Sequence, residues 1–134
     1  MLTSRQHPTG AKVVFRGQVP HAAVAEALKE ACIAVLPNRA GIDSGFTSPI
    51  KLFEYMAAGC ALVVSDLAPM HEVLGPEDAI WVPPGDATAL AAAIRVIAAN
   101  PARANEMGER VRRKARSFTW AGRARRLKEL MESL

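Results

Sequence analysis

The sequence predicts an α/β fold, a parallel sheet with helices on its faces. Short apolar runs alternate with amphipathic stretches along the chain, the order expected of successive βαβ units. Two of the runs, Cys32 to Leu36 and Ala61 to Ser65, are apolar almost without interruption, as strands covered on both faces must be. Helix boundaries carry residues with a physical reason to stand there: Ser48-Pro49 and Gly59, then Asp86, Pro101 and Thr119.

Taken in order, Val13 to Phe15 reads as a short strand and His21 to Ala31 as a helix. In that helix Val24, Ala27, Leu28 and Ala31 recur at three- and four-residue spacing. Cys32 to Leu36 is the next strand. Pro37 to Thr47 contains Asn38, Gly41, Asp43, Ser44 and Gly45, the composition of a mobile loop, and it leaves a strand's carboxyl end, where open α/β sheets bind ligands. A helix over Pro49 to Ala58 is stopped by Gly59, and Ala61 to Ser65 forms the following buried strand. Asp66 to Leu74 is a loop with a short helix that takes in Glu72, and Ala79 to Val82 is another strand. Pro83-Pro84-Gly85 makes a turn before Asp86 caps the helix of Ala87 to Ala99. Pro101 starts a further helix, and Thr119 caps the last one, whose Trp120, Ala124, Leu127, Leu130 and Met131 form an apolar stripe.

The segment TSPIKLFEYMAAGCALVVSD, from Thr47 to Asp66, carries the chemistry. Ser48 suits an N-cap, and Pro49 suits the first helical position because its missing N–H is one the helix could not use. The free N–H groups of Ile50 and Lys51 then point out of the helix end, where the macrodipole favours an anion by roughly 0.3 to 1 kcal/mol. A lysine in a first turn opposes that dipole, so Lys51 is better explained beside a bound anion than as a solvated charge. Glu54, one turn further, can accept hydrogen bonds from a polyol. A phosphate and a sugar hydroxyl in one place suggest a nucleotide. On its own, a helical glutamate is ordinarily a solvent-facing charge, and Ser48 and Pro49 have a complete structural explanation as cap and first-turn residues.

PIKLFEYMAAG, followed by LVVSDL and HEVL, closely resembles the donor-binding segment of the GT-B glycosyltransferases known as glycosyl transferases group 1. VVFRGQVP and ACIAVLPN upstream, and WVPPGDATALAAAI and FTWAGRARRLKEL downstream, agree in order, so the resemblance runs from Val13 to the end. It implies a Rossmann-like parallel sheet with flanking helices, part of the C-terminal domain of a GT-B enzyme. It also implies a nucleotide-sugar donor, a UDP-, GDP- or ADP-sugar, as substrate, with no cofactor and no metal. The donor diphosphate would lie on the amides around Ser48, Ile50 and Lys51, in a donor-binding segment that includes Thr47 and Pro49, and the ribose hydroxyls on Glu54. Many members place a further glutamate eight residues earlier, against the transferred sugar; here that position is Phe46. Asp43 could supply a carboxylate from the same loop, and Asp66, otherwise a turn residue, is a third candidate for the cleft. The resemblance names no catalytic residue in this sequence.

A chain of 134 residues, half of them apolar, can bury one core, whereas the resembling fold needs two domains facing a cleft. Residues 1–134 are therefore expected to be a single partial nucleotide-sugar-binding domain, with helices at about 101–134 forming its C-terminal tail and the N-terminal acceptor domain absent. The isolated chain is expected to be inactive in transfer and to need that missing domain or a partner subunit. In the resembling family the terminal helix packs on the N-terminal domain, so its stripe here invites self-association. A non-catalytic Rossmann-like module binding a nucleotide or a partner is the alternative.

Charge divides unevenly: residues 1–100 hold seven Lys/Arg against nine Asp/Glu, and residues 101–134 hold ten against four. Arg110, Arg112, Arg113, Lys114 and Arg116 read first as a solvated helix face and second as a peripheral contact with anionic headgroups. No aromatic platform accompanies them, so nucleic acid is not expected. No apolar run approaches 18 residues and no signal peptide opens the chain, which predicts a cytoplasmic location, with any membrane contact peripheral at the inner face. Cys32 and Cys60 lie in apolar runs and are expected to be buried free thiols. His7, His21 and His71 are scattered without ligand spacing.

Overall fold

The computed structural model describes residues 3–6, 10, 12–41 and 50–134. Its centre is a three-stranded parallel sheet in the order β3 (Ile33–Leu36), β4 (Ala61–Ser65) and β5 (Ile80–Val82). Ile33 to Leu36 stand opposite Ala61 to Val64, and Val63 to Ser65 opposite Ile80 to Val82. All five residues of β4 are buried, so the unbroken apolarity of CALVVS reflects a strand with helices on both sides.

Alternation along β4 sends its side chains into two clusters. Leu62 and Val64 pack with Ala34, Leu36, Leu52, Met56, Met70 and Val111. That face is covered by α1 (His21–Glu30) and α2 (Ile50–Ala58), with the short α3 (Ala68–His71) beside them. Ala61 and Val63 pack on the other face with Val82, Ala104 and Met107 and with Ala93 and Ile97 of α4 (Ala87–Ala98). Leu28 of α1 and Ala31, which follows its last turn, reach the first cluster, as their spacing predicts.

The helix α5 (Pro101–Ala115) joins the two faces, because Ala104 and Met107 belong to one cluster and Val111 to the other. It crosses where the backbone turns from α2 into β4. Gly59 ends α2 with φ +76°, its N–H donating to the Met56 carbonyl (3.0 Å) and that of Cys60 to the Tyr55 carbonyl (3.2 Å), the bond pair of a Schellman stop. A methyl group at Gly108 would lie 2.0 Å from the Gly59 carbonyl oxygen. Only a glycine lets α5 approach this closely. Beside it the Leu62 N–H donates to the Met107 sulfur at 3.4 Å.

Predicted caps recur at the far helices: Asp86 accepts from the Ala89 N–H (2.8 Å), and Thr119 from the Gly122 N–H (3.0 Å) at the start of α6 (Trp120–Glu132). Asn100 caps α5 by accepting from the Arg103 N–H at 3.1 Å.

Three expectations are corrected. The strand at Val13 to Phe15 exists as β2 (Lys12–Phe15), but it pairs antiparallel with β1 (Thr3–Gln6) in a separate two-stranded sheet. All of β2 is exposed, so it does not extend the parallel sheet. Cys60 is buried as expected, whereas Cys32 is exposed, because it sits in the bend between α1 and β3 rather than within the strand. The basic cluster of α5 is not one solvated face. Lys114 donates to Asp78, Arg110 to the Glu77 carbonyl (2.8 Å), and Arg112 to Glu109 (3.1 Å). Asp78 is 5% exposed and also accepts from the Gly75 N–H at 2.7 Å, so this carboxylate is both paired and hydrogen-bonded, as burial demands.

Candidate donor-binding site

In chain order α2 is the next described element after β3. Leu52 and Met56 are fully buried and anchor one side of α2. Ile50 and Glu54, four residues apart, therefore share a face turned away from that core. Ile50 is exposed, Lys51 is exposed, and Glu54 is drawn in, with its side chain 30% exposed. Its Oε1 stands 3.6 Å from Nδ1 of His21, the first residue of α1. Next in the helix, burial and the adjacent Glu54 charge push the Tyr55 phenol above its usual pKa.

Glu54 forms part of two clefts. The larger, about 500 Å³, runs between α2 and the start of α6 and is lined by His21, Ile50, Phe53, Glu54, Trp120, Arg123 and Arg126 among others. The smaller, about 290 Å³, lies between α1 and α2, where Val24, Leu28 and Lys29 face Glu54 and Ala57. Phe53 meets Phe118 with ring centroids 5.3 Å apart, and this contact holds the start of α6 beside α2. Among the described residues Glu54 is the single carboxylate lining either cleft, against Lys29, Arg123, Arg126 and an imidazole. A third cleft of about 200 Å³ opens at the carboxyl ends of β3 to β5, lined by Pro37, Arg39, Ser65 and Asp86 among others. The carboxylate of Asp86 is occupied there in capping α4.

Of the sequence-predicted site residues, Ile50 and Glu54 line one cleft, and Lys51 is exposed on the first turn of the same helix. Thr47, Ser48, Pro49, Asp43 and Phe46 lie outside the described residues. Asp66 follows the carboxyl end of β4, but its Oδ1 lies 2.6 Å from Nε2 of His71. That imidazole stacks on Trp81 at 3.9 Å between centroids and 9° between planes. Asp66 thus fastens α3 to β5, and it is not among the residues lining the Glu54 clefts. His21, expected from the sequence at a surface or helix entry, is the exposed first residue of α1, and sequence reasoning did not place it, Trp120, Arg123 or Arg126 beside Glu54. The proline before His21 was the available signal, since it starts a helix at the end of a loop.

The family described as glycosyl transferases group 1 matches residues 2–100, most of the chain. The chain belongs to this family. The chain is also similar to a phosphatidyl-myo-inositol mannosyltransferase of Mycolicibacterium smegmatis, 42% identical over 81 residues, which make up 60% of this chain and 20% of that protein. Among solved structures, the sucrose-phosphate synthase of Thermosynechococcus elongatus superposes with a TM-score of 0.74 at 30% identity, over 89% of this chain and 29% of its own. The α/β fold with its parallel sheet is that of a GT-B glycosyltransferase domain. The chain spans 20% of the mannosyltransferase and 29% of the synthase. No described helix is long and apolar enough to cross a membrane.

Proposed function

We propose that this chain is the donor-binding portion of a nucleotide-sugar-dependent glycosyltransferase, with Glu54 receiving the ribose hydroxyls and the amino end of α2 receiving the diphosphate. The observation that carries this reading is the placement of Glu54. It is a half-buried carboxylate, four residues from the exposed first residue of α2, and among the described residues it is the one carboxylate beside the cations of a cleft of about 500 Å³. A carboxylate there accepts two hydroxyl hydrogen bonds at a charge-assisted strength. The Ile50 and Lys51 amides and the Lys51 ammonium, with the residues that precede them, meet the anion at the helix end.

Transfer breaks the bond between the sugar's anomeric carbon and the donor phosphate oxygen. It forms a glycosidic bond to an acceptor hydroxyl, which gives up its proton, and the nucleoside diphosphate departs. The helix end and Lys51 would stabilise the charge that grows on the departing phosphate, and fixed dipoles of this kind are worth most where water is excluded. The acceptor and a second domain to hold it complete the proposed enzyme. The exposed stripe of α6, with Leu127, Leu130 and Met131 all more than half exposed, is the surface we assign to that domain or to a partner subunit.

Calorimetric titration of the chain with UDP, GDP and ADP, alongside Glu54→Ala, tests the site. One nucleotide should bind, and the variant should weaken it about tenfold, the loss expected for a charge-assisted pair. Equal binding by both proteins would remove Glu54 from the site.

A further inference from the structure

The family match ends at residue 100, yet the cleft holding Glu54 is walled on one side by α6. We propose that Arg123 and Arg126 of α6 are donor-binding residues that hold the diphosphate of a nucleoside diphosphate whose ribose rests on Glu54. This rests on the donor-site reading above and adds to it residues beyond the matched segment.

Four observations lead there. First, Arg123 and Arg126 line the same cleft as Ile50 and Glu54, so a ligand on the glutamate and the helix end passes within reach of both. Second, among the described residues neither guanidinium is paired with a carboxylate, although Arg110, Arg112 and Lys114 of the preceding helix all find anionic or carbonyl partners. Third, Arg123 stands 5.9 Å from the centre of the Trp120 ring, a cation–π distance that favours one position for its side chain. Fourth, no residue of α6 is buried, so these side chains do not hold the core together. Two forked guanidiniums beside a helix amino end fit a diphosphate, since each can give two parallel N–H donors to one phosphate. The lone carboxylate suits the uncharged hydroxyls of the same ligand. A wholly anionic ligand such as a polyphosphate would be repelled by it.

The test titrates the unmodified chain, Arg123→Ala/Arg126→Ala, the matching double lysine variant and Glu54→Ala with each nucleoside diphosphate, its parent nucleoside and inorganic pyrophosphate. The double alanine variant should lose at least tenfold in affinity for the diphosphate and bind the nucleoside as the unmodified chain does. The lysine variant should recover part of the loss. Binding of the diphosphate should fall with added salt in the unmodified chain and much less in the double alanine variant. Full diphosphate affinity in the double alanine variant, with Glu54→Ala still weakened, overturns the inference and leaves the donor site standing. Failure of the unmodified chain to bind any nucleoside diphosphate overturns both.

Discussion

The consecutive helices α5 and α6 are alike in charge and unlike in fate. α5 buries Ala104, Met107, Gly108 and Val111, while α6 buries nothing, although it holds bulkier apolar side chains in Trp120, Leu127, Leu130 and Met131. Apolar content does not decide the difference. α5 has a small residue where it crosses the turn between α2 and β4, so its backbone comes into contact with Gly59 and its few apolar groups reach both clusters. Just before α6 starts, Phe118 meets Phe53. One helix closes the core, and the next offers its surface to the cleft and beyond.

The largest effect expected is from Gly108→Ala. A β-carbon 2.0 Å from the Gly59 carbonyl oxygen has no flexible side chain to displace, so α5 must move off the sheet. The loss should be about 3 kcal/mol or more, read as a collapsed melting temperature or urea midpoint. An unchanged midpoint would show that α5 does not hold the two faces together. Asp78→Ala should cost about 2 kcal/mol, because it leaves the Lys114 ammonium and the Gly75 N–H without their acceptor. High salt should diminish this loss only weakly, since the carboxylate is buried.

Alkali should act on the buried side of the comparison. Burial raises the Cys60 thiol, helped by nearby Cys32, and burial with the Glu54 charge raises the Tyr55 phenol. Both groups are neutral when protonated, so the folded state holds their protons more tightly than the unfolded one. The stability they contribute is complete below the ordinary thiol range and declines as pH rises through the folded values. Urea midpoints should fall from about pH 9 upward, less steeply in Cys60→Ala than in the unmodified chain once its lower starting stability is allowed for. Exposed Cys32 should be alkylated well before Cys60. The smallest effect belongs to α6: Leu127→Ala/Met131→Ala should shift stability by no more than about 0.5 kcal/mol. A larger loss would mean that the stripe is covered in solution, which sedimentation would reveal as self-association.

Much of the fold was legible in the sequence because its signals are local. Gly59 stops α2, Asp86 and Thr119 cap their helices, and the unbroken apolar run of β4 marks the centre of the sheet. β1 was not legible: Thr3 to Gln6 has neither apolar alternation nor a turn signal, and its pairing draws β2 out of the parallel sheet. Glu54 stood out in the sequence through its helix start and its resemblance to the family motif. The cleft around it did not, because it arises where α1, α2 and α6, distant in sequence, come together. Cys32 was misjudged by one position, as the strand begins at Ile33.

The central claim is that a nucleoside diphosphate binds at the amino end of α2, against Glu54. Amide and indole NMR spectra of the labelled chain, recorded while the tightest-binding of UDP, GDP and ADP is added, test it most directly. The account predicts that shifts gather at Ile50 to Glu54, at His21 and at the Trp120 indole, while Gly108 and Asp78 stay still. Shifts confined to the strand-end cleft at Pro37, Ser65 and Gly85, or absent altogether, would contradict it.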